Sequence, residues 1–180
     1  MSIRQSLLAL LAEGPAYGAT LRSEFERRTG ATWPLNVGQV YTTLARLLRD
    51  GLVAEVARRE DGTVVYELTD AGRRALTRWW ASPVQRTEPP RNELAIKVAL
   101  GVTTPEVDVA SIIATQRAES TSSLAHLSEL KARIPEHPAA NDLAALLVLE
   151  SVIFATEAEV RWLDHVAELL PGLSLSQLDG

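Results

Sequence analysis

Gln39, Thr42, Arg46 and Arg49 recur at spacings of three, four and three. On a helix turning about 100° per residue, that spacing sets them on one continuous polar ridge. Val37, Val40, Leu44, Leu47 and Leu48 fall on the other side, and Gly38 and Ala45 flank the ridge with small side chains. Small flanks let a helix approach another surface closely. The residue types suit paired bases. Arg makes a bidentate pair with guanine N7 and O6, and Gln does so with adenine. Thr meets a base edge, a thymine methyl or a phosphate. The first turns of a recognition helix reach the bases, which favours Gln39 and Thr42 as readers. Arg46 reads or clamps, and Arg49 clamps phosphate. An ordinary solvated helix face explains the same residues, and the wheel alone leaves both accounts standing.

Other chemistries lack their residues. Cysteine is absent, which excludes disulfides, thiol nucleophiles and thiolate metal sites. There is no Gly-x-Ser-x-Gly elbow, no phosphate-cradling glycine loop and no His-Glu-x-x-His. His126, His137 and His165 are scattered without ligand spacing. No enzyme, metal or cofactor is expected. The apolar run at residues 7–12 is closed by Glu13, too short for a signal core, and no stretch approaches the roughly 18 apolar residues of a membrane span. The expectation is a cytoplasmic protein without a membrane partner. The net charge is −5, unevenly shared. Residues 1–86 hold 12 Arg against 9 Asp and Glu, whereas the rest holds 6 Lys and Arg against 14 Asp and Glu. Such asymmetry suggests two jobs.

The elements that must position the ridge are punctuated clearly. Ser2 is placed to cap a first helix carrying Leu7, Leu8, Leu10 and Leu11, stopped by Gly14-Pro15. A second spans about 17–29, with Leu21 and Phe25 on one face and Gly30 at its end. Trp33 staples the turn that follows. Asn36 caps a third helix over 37–50, stopped by Gly51. Two β-rich runs, 52–57 and 63–68, flank Asp61-Gly62, a hairpin turn signal. Thr69 caps a fourth helix that Pro83 breaks. Residues 83–91 read as a linker. Asn92 caps a short helix ended by Gly101, and Thr104-Pro105 opens a long helix to about residue 133. A last helix covers about 141–170, closed by Pro171-Gly172. Three helices, a hairpin and a helix make a winged helix-turn-helix with a two-stranded wing over residues 1–82. An all-helical unit over 92–180 follows, and the fold class is mainly α.

The strings Ala16-Tyr17-Gly18-Ala19-Thr20-Leu21, Val40-Tyr41-Thr42-Thr43-Leu44-Ala45-Arg46-Leu47, Asp50-Gly51-Leu52-Val53 and Tyr66-Glu67-Leu68-Thr69-Asp70-Ala71-Gly72 occur in this order. In combination they resemble the PadR family of bacterial transcription regulators over residues 1 to about 82. The rear half is similar to the helical C-terminal domain of the longer PadR subgroup, its best marker being Glu159-Val160-Arg161-Trp162-Leu163. The resemblance implies a homodimer on double-stranded DNA, at a near-palindromic operator, usually acting as a repressor. By position it makes Tyr17 and Tyr41 backbone-contacting or positioning residues. Tyr17 serves equally to pack the start of the second helix, while Tyr41, flanking the ridge, leans toward phosphate. One departure lies in the wing. The family commonly has basic residues just after the turn glycine, where Thr63 and Val64 stand here, and Glu67 replaces another frequent cation. Arg58 and Arg59 precede the turn, so wing contacts to phosphate would come from its first strand. A solvated pair balanced by Glu60 and Asp61 is the plainer account of these two.

In the last helix Leu146, Leu149, Ile153, Val160 and Leu163 follow a three-four spacing, with further apolar residues spread around them. A helix this apolar must bury most of its surface, and a second subunit is the economical cover. A monomeric bundle is the alternative. Trp79, Trp80 and Trp162 invite a flat aromatic effector, although packing explains each more simply. Such an effector would release the regulator by changing the spacing of its two heads. The rival to DNA reading is a winged helix that binds protein and no DNA.

Overall fold

A computed structural model describes residues 3–60, 62–84 and 92–170. The chain divides into two compact units, one of residues 1–85 with 139–145, the other of 86–138 with 146–180. The elements are α1 (Ile3–Leu11), β1 (Ala16–Tyr17), α2 (Gly18–Arg28), α3 (Val37–Arg49), β2 (Val53–Arg58), β3 (Val64–Leu68), α4 (Asp70–Ala81), α5 (Glu93–Val102), α6 (Val109–Ala132) and α7 (Ala140–Leu169).

In the first unit, Leu7, Leu8 and Leu11 of α1 meet Leu21 and Phe25 of α2 and Val40, Leu44 and Leu47 of α3 in one core. Each buried Leu stabilises the fold by about 1.5–3 kcal/mol. Val53, Tyr66, Leu68 and Leu76 close that core from the sheet and α4. Gly51 (φ +68°) ends α3 in a left-handed turn, and the Leu52 N–H donates to the Leu47 carbonyl at 2.9 Å. This is the glycine-dependent helix stop expected from the sequence. Thr69 caps α4 through the Gly72 N–H at 3.1 Å. Its own hydroxyl donates to the Gly51 carbonyl at 2.8 Å, tying that helix start to the end of α3. At Gly72 a Cβ would lie 2.1 Å from the Leu52 carbonyl oxygen, so only glycine lets the two backbones approach this closely.

The sheet is antiparallel and three-stranded, in the order β1-β3-β2. Ala16 and Tyr17 pair with Tyr66 and Val65, an addition to the two-stranded wing read from the sequence. In the hairpin Val53 opposes Leu68 and Arg58 opposes Val64, with a bulge between Glu55 and Ala57. Gly62 has φ +81° in the turn. Asp61, Ser2, most of the 83–91 linker and Pro171-Gly172 lie outside the described residues.

The second unit packs α5, α6 and α7 around Val98, Val109, Ile113 and Leu163. Asn92 caps α5 through the Ala95 N–H at 3.1 Å. The expected start of the long helix at Thr104-Pro105 is corrected. The Thr103 and Thr104 hydroxyls both donate to the Leu100 carbonyl, at 3.0 and 2.8 Å, and close α5. With Thr104 spent there, α6 starts after Asp108, whose Oδ1 accepts the Ser111 N–H at 3.0 Å. Between α6 and α7 the buried Ser120 donates to Glu159 Oε1 at 2.7 Å, and Gln116 Nε2 donates to the same oxygen at 3.1 Å. Glu159, in the string that marks the rear half, is thereby a packing anchor. No helix among the described residues is long and apolar enough to cross a membrane.

Candidate nucleic-acid interface

The face of α3 is fixed from both ends. Asn36 Oδ1 accepts the Gly38 N–H at 2.7 Å, and Gln39 Oε1 accepts the Asn36 N–H at 3.4 Å, a capping box. Before it, the Leu35 N–H donates to Glu26 Oε1 at 3.1 Å, and Arg22 Nε donates to the same oxygen at 3.0 Å. Leu35 is buried in the core, whereas Trp33 is 38 % exposed. The turn is therefore held by Leu35 and Glu26, and Trp33 is not the staple the sequence suggested. Gly30 and Ala31 both have positive φ, +60° and +54°, to make this turn.

With α3 so held, Val40, Leu44 and Leu47 face the core, and Gly38, Gln39, Thr42, Ala45, Arg46 and Arg49 are all exposed. Val37 and Leu48, expected on the apolar side, are exposed as well. They lie at the edge of a buried arc that only residues spaced four and three apart can fill. Tyr41 is 45 % exposed, and its ring lies across the start of α2. A Cβ on Gly18 would stand 2.9 Å from a ring carbon of Tyr41. Gly18 thus sets how closely Tyr41 sits to α2, and a shallow cleft of about 170 Å³ lined by both residues, Arg22 and Val37 runs between the helices.

The charges on this face differ in how they are held. Arg46 has no carboxylate partner among the described residues. Arg49 Nη2 lies 2.9 Å from Asp50, whose other oxygen accepts Arg4 Nη1 at 2.6 Å. The Arg4 hydrogen bond, then that of Arg49, holds the Asp50 carboxyl below its ordinary range. In the wing Arg58 pairs with Glu55 at 3.0 Å. The Arg59 guanidinium lies 4.6 Å above the centre of the half-buried Tyr17 ring, a cation–π contact. Sequence reasoning missed Arg4, Gly18 and Glu26. A Tyr-Gly pair opening a helix is a usable signal for Gly18. Nothing local marks Arg4, which is 46 residues from its partner.

Trp79 and Trp80 form a tilted pair with centroids 4.2 Å apart at 50°. Trp79 leans on the first unit's core and Trp80 is 67 % exposed, while Trp162 packs against the core of the second unit. Leu149 and Leu163, expected at a subunit interface, are buried inside the chain's own fold, and Leu146, Ile153 and Val160 are half-buried. No group of three or more His, Asp or Glu among the described residues is placed to hold a metal ion.

Residues 7–78 match the family described as Transcriptional regulator PadR-like family, and residues 90–171 match Virulence activator alpha C-term. A probable transcriptional regulator of Mycobacterium tuberculosis, Rv1176c, is 30 % identical across 94 % of this chain and 98 % of its own. The chain belongs to the PadR-like family of transcriptional regulators. A second M. tuberculosis transcriptional regulator, Rv3488, is 38 % identical over 42 % of this chain and 70 % of its own. Among solved structures, the Vibrio cholerae virulence activator AphA aligns at TM-score 0.72 and 25 % identity, over 95 % of this chain and 99 % of that one. Bacillus subtilis PadR in complex with operator DNA aligns at TM-score 0.71 and 20 % identity, over 93 % and 97 %. These alignments extend the PadR-like fold through the helical rear half.

Proposed function

We propose that this PadR-like regulator is a cytoplasmic homodimer that binds a near-palindromic operator in double-stranded DNA, represses from it, and is released by a small aromatic effector. The observation that carries the reading is the division of α3: Val40, Leu44 and Leu47 are sealed in the core, while every residue from Gln39 to Arg49 on the opposite ridge reaches solvent. In this reading Gln39 and Thr42 face base edges, the unpaired Arg46 reads or clamps, and Arg49, Tyr41 and the wing arginines Arg58 and Arg59 hold the backbone. Tyr17 positions Arg59. Residues 1–82 do the reading and residues 92–180 pair the subunits. The pairing surface follows from exposed apolar side chains of α7, chiefly Leu147 and Phe154. The effector is assigned to the tryptophans on chemical grounds, with Trp80 offering the open ring. Bacillus subtilis PadR has been solved in complex with p-coumaric acid, and it shares this fold at TM-score 0.72 and 22 % identity. That likeness supports an aromatic effector class.

Selection from a random duplex pool tests the reading. It should return a near-palindrome whose half-sites lie roughly one DNA turn apart, about 34 Å. Affinity should fall steeply with salt through counterion release. Arg46→Ala should cost about 1–3 kcal/mol on the selected site. A pool that enriches nothing, with no salt-dependent binding, overturns DNA reading in favour of a protein-binding winged helix.

A further inference from the structure

At the far end of the reading ridge three charged residues meet. Asp50 stands at the C-terminal cap of α3 and shares its two oxygens between arginines from different elements. Oδ2 accepts Arg4 Nη1 from the first turn of α1 at 2.6 Å, and Oδ1 accepts Arg49 Nε at 3.0 Å. The Asp50 side chain is 29 % exposed, against 73 % for Arg49 and 38 % for Arg4.

An isolated surface ion pair has little to offer a fold, so the arrangement is better explained by what it presents. Two guanidiniums carry five N–H donors each. One carboxylate engages a single edge of each, so other donors stay free around the pair. One negative charge against two positive leaves a net charge of about +1, which matches a single phosphodiester. Arg49 already lies on the exposed ridge, and the shared carboxylate brings Arg4 beside it.

We infer that Arg4, Asp50 and Arg49 form one clamp for a backbone phosphate of bound DNA, with Arg4 a phosphate contact and Asp50 a positioning residue that holds both guanidiniums in register. The inference rests on the DNA-reading function and deepens it. It adds a contact from α1, outside the helix-turn-helix and the wing. It also gives an acidic residue a positive role on a surface that binds a polyanion.

The two arms of the clamp make opposite predictions from a plain charge count. A count says that Asp50→Asn, by removing a negative charge, tightens binding to every duplex. A positioning role says that it weakens binding, because the arginines lose their shared anchor.

The experiment measures affinity for the selected operator and for an arbitrary-sequence duplex across a salt series, using full-length wild type, Arg4→Gln, Arg4→Lys and Asp50→Asn, each checked for fold by circular dichroism. Arg4→Gln should reduce the slope of log affinity against log salt by about 0.9, one phosphate contact, and weaken specific and non-specific DNA by the same factor. Arg4→Lys should recover the slope, because its charge remains. Asp50→Asn should weaken both duplexes several-fold. An unchanged slope in a folded Arg4→Gln protein, or tighter binding by Asp50→Asn, overturns the clamp while leaving DNA reading intact. Wild type that binds no duplex in a salt-dependent way overturns the reading and the clamp together. If Arg4→Gln unfolds, Asp50→Asn decides: weaker binding to both duplexes supports the clamp, and unchanged or tighter binding overturns it.

Discussion

Gln39 carries two demands on one side chain. Its Oε1 completes the capping box of α3, while base reading calls on both its oxygen and its NH2. At 3.4 Å the capping bond is long and weak, so releasing it to meet adenine costs little. Glutamate at this position keeps the cap oxygen and loses the donor. Gln39→Glu should therefore keep the melting temperature of wild type and lose roughly 1–3 kcal/mol on the selected operator. Thermal unfolding and titration of the same preparation check the two halves. Equal operator affinity would remove Gln39 from the readers. The ridge was legible from spacing because helical geometry alone puts residues three and four apart on one face. Its partners were not. Whether Arg46 is unpaired while Arg49 is tied to Asp50 depends on which carboxylates the folded chain brings near.

Helix starts were legible where a side-chain cap and an apolar face agree, as at Asn36, Thr69 and Asn92. They were not where two caps compete. Thr104-Pro105 and Asp108 both suit a helix start, and only the acceptor left at the end of α5 decides between them. The two-residue strand β1 has no periodicity to read and exists because β3 pairs with it. A different element junction gives a pH prediction. Arg28 of α2 donates to both oxygens of Glu13, beyond the end of α1, at 2.5 Å. That hydrogen bond holds the Glu13 carboxyl below its ordinary value of 4.5, and Arg27 does the same for Glu24. Lowered carboxyls contribute stability that is present above the unfolded value and lost as pH falls through the folded one. Melting temperature should then drop as pH falls below about 4.5. Arg28→Gln should flatten part of that drop by lowering the melting temperature slightly at pH 7 and leaving the acid end nearly unchanged, a small effect because the pair is largely exposed. An acid limb identical in both proteins would show that the junction contributes nothing.

At the scale of the whole molecule the question is what covers the apolar surface that each unit leaves open. Among the described residues the second unit's core cluster holds four buried apolar residues, yet Leu147 and Phe154 of α7 stand 60 % and 64 % exposed. They are seven residues apart, two helical turns, and so lie on one face. The apolar stripe through Leu149 and Leu163 is the one turned inward. Sequence spacing singled out the stripe through Leu149 and Leu163 for the subunit contact, since a helix apolar on several sides does not say which side its own chain will cover. The distinction predicts two different phenotypes. Leu163→Ala removes a side chain with no exposed surface and should cost about 2–5 kcal/mol of folding stability, read by chemical denaturation. Phe154→Glu should leave the fold intact, shift the protein from dimer to monomer in analytical ultracentrifugation, and weaken operator binding by about 10²–10⁴-fold, because two linked heads bind as one. Binding of a single half-site should stay near wild type. A Phe154→Glu protein that still sediments as a dimer would place the subunit contact on another face, and the two DNA-reading heads would need a different spacer.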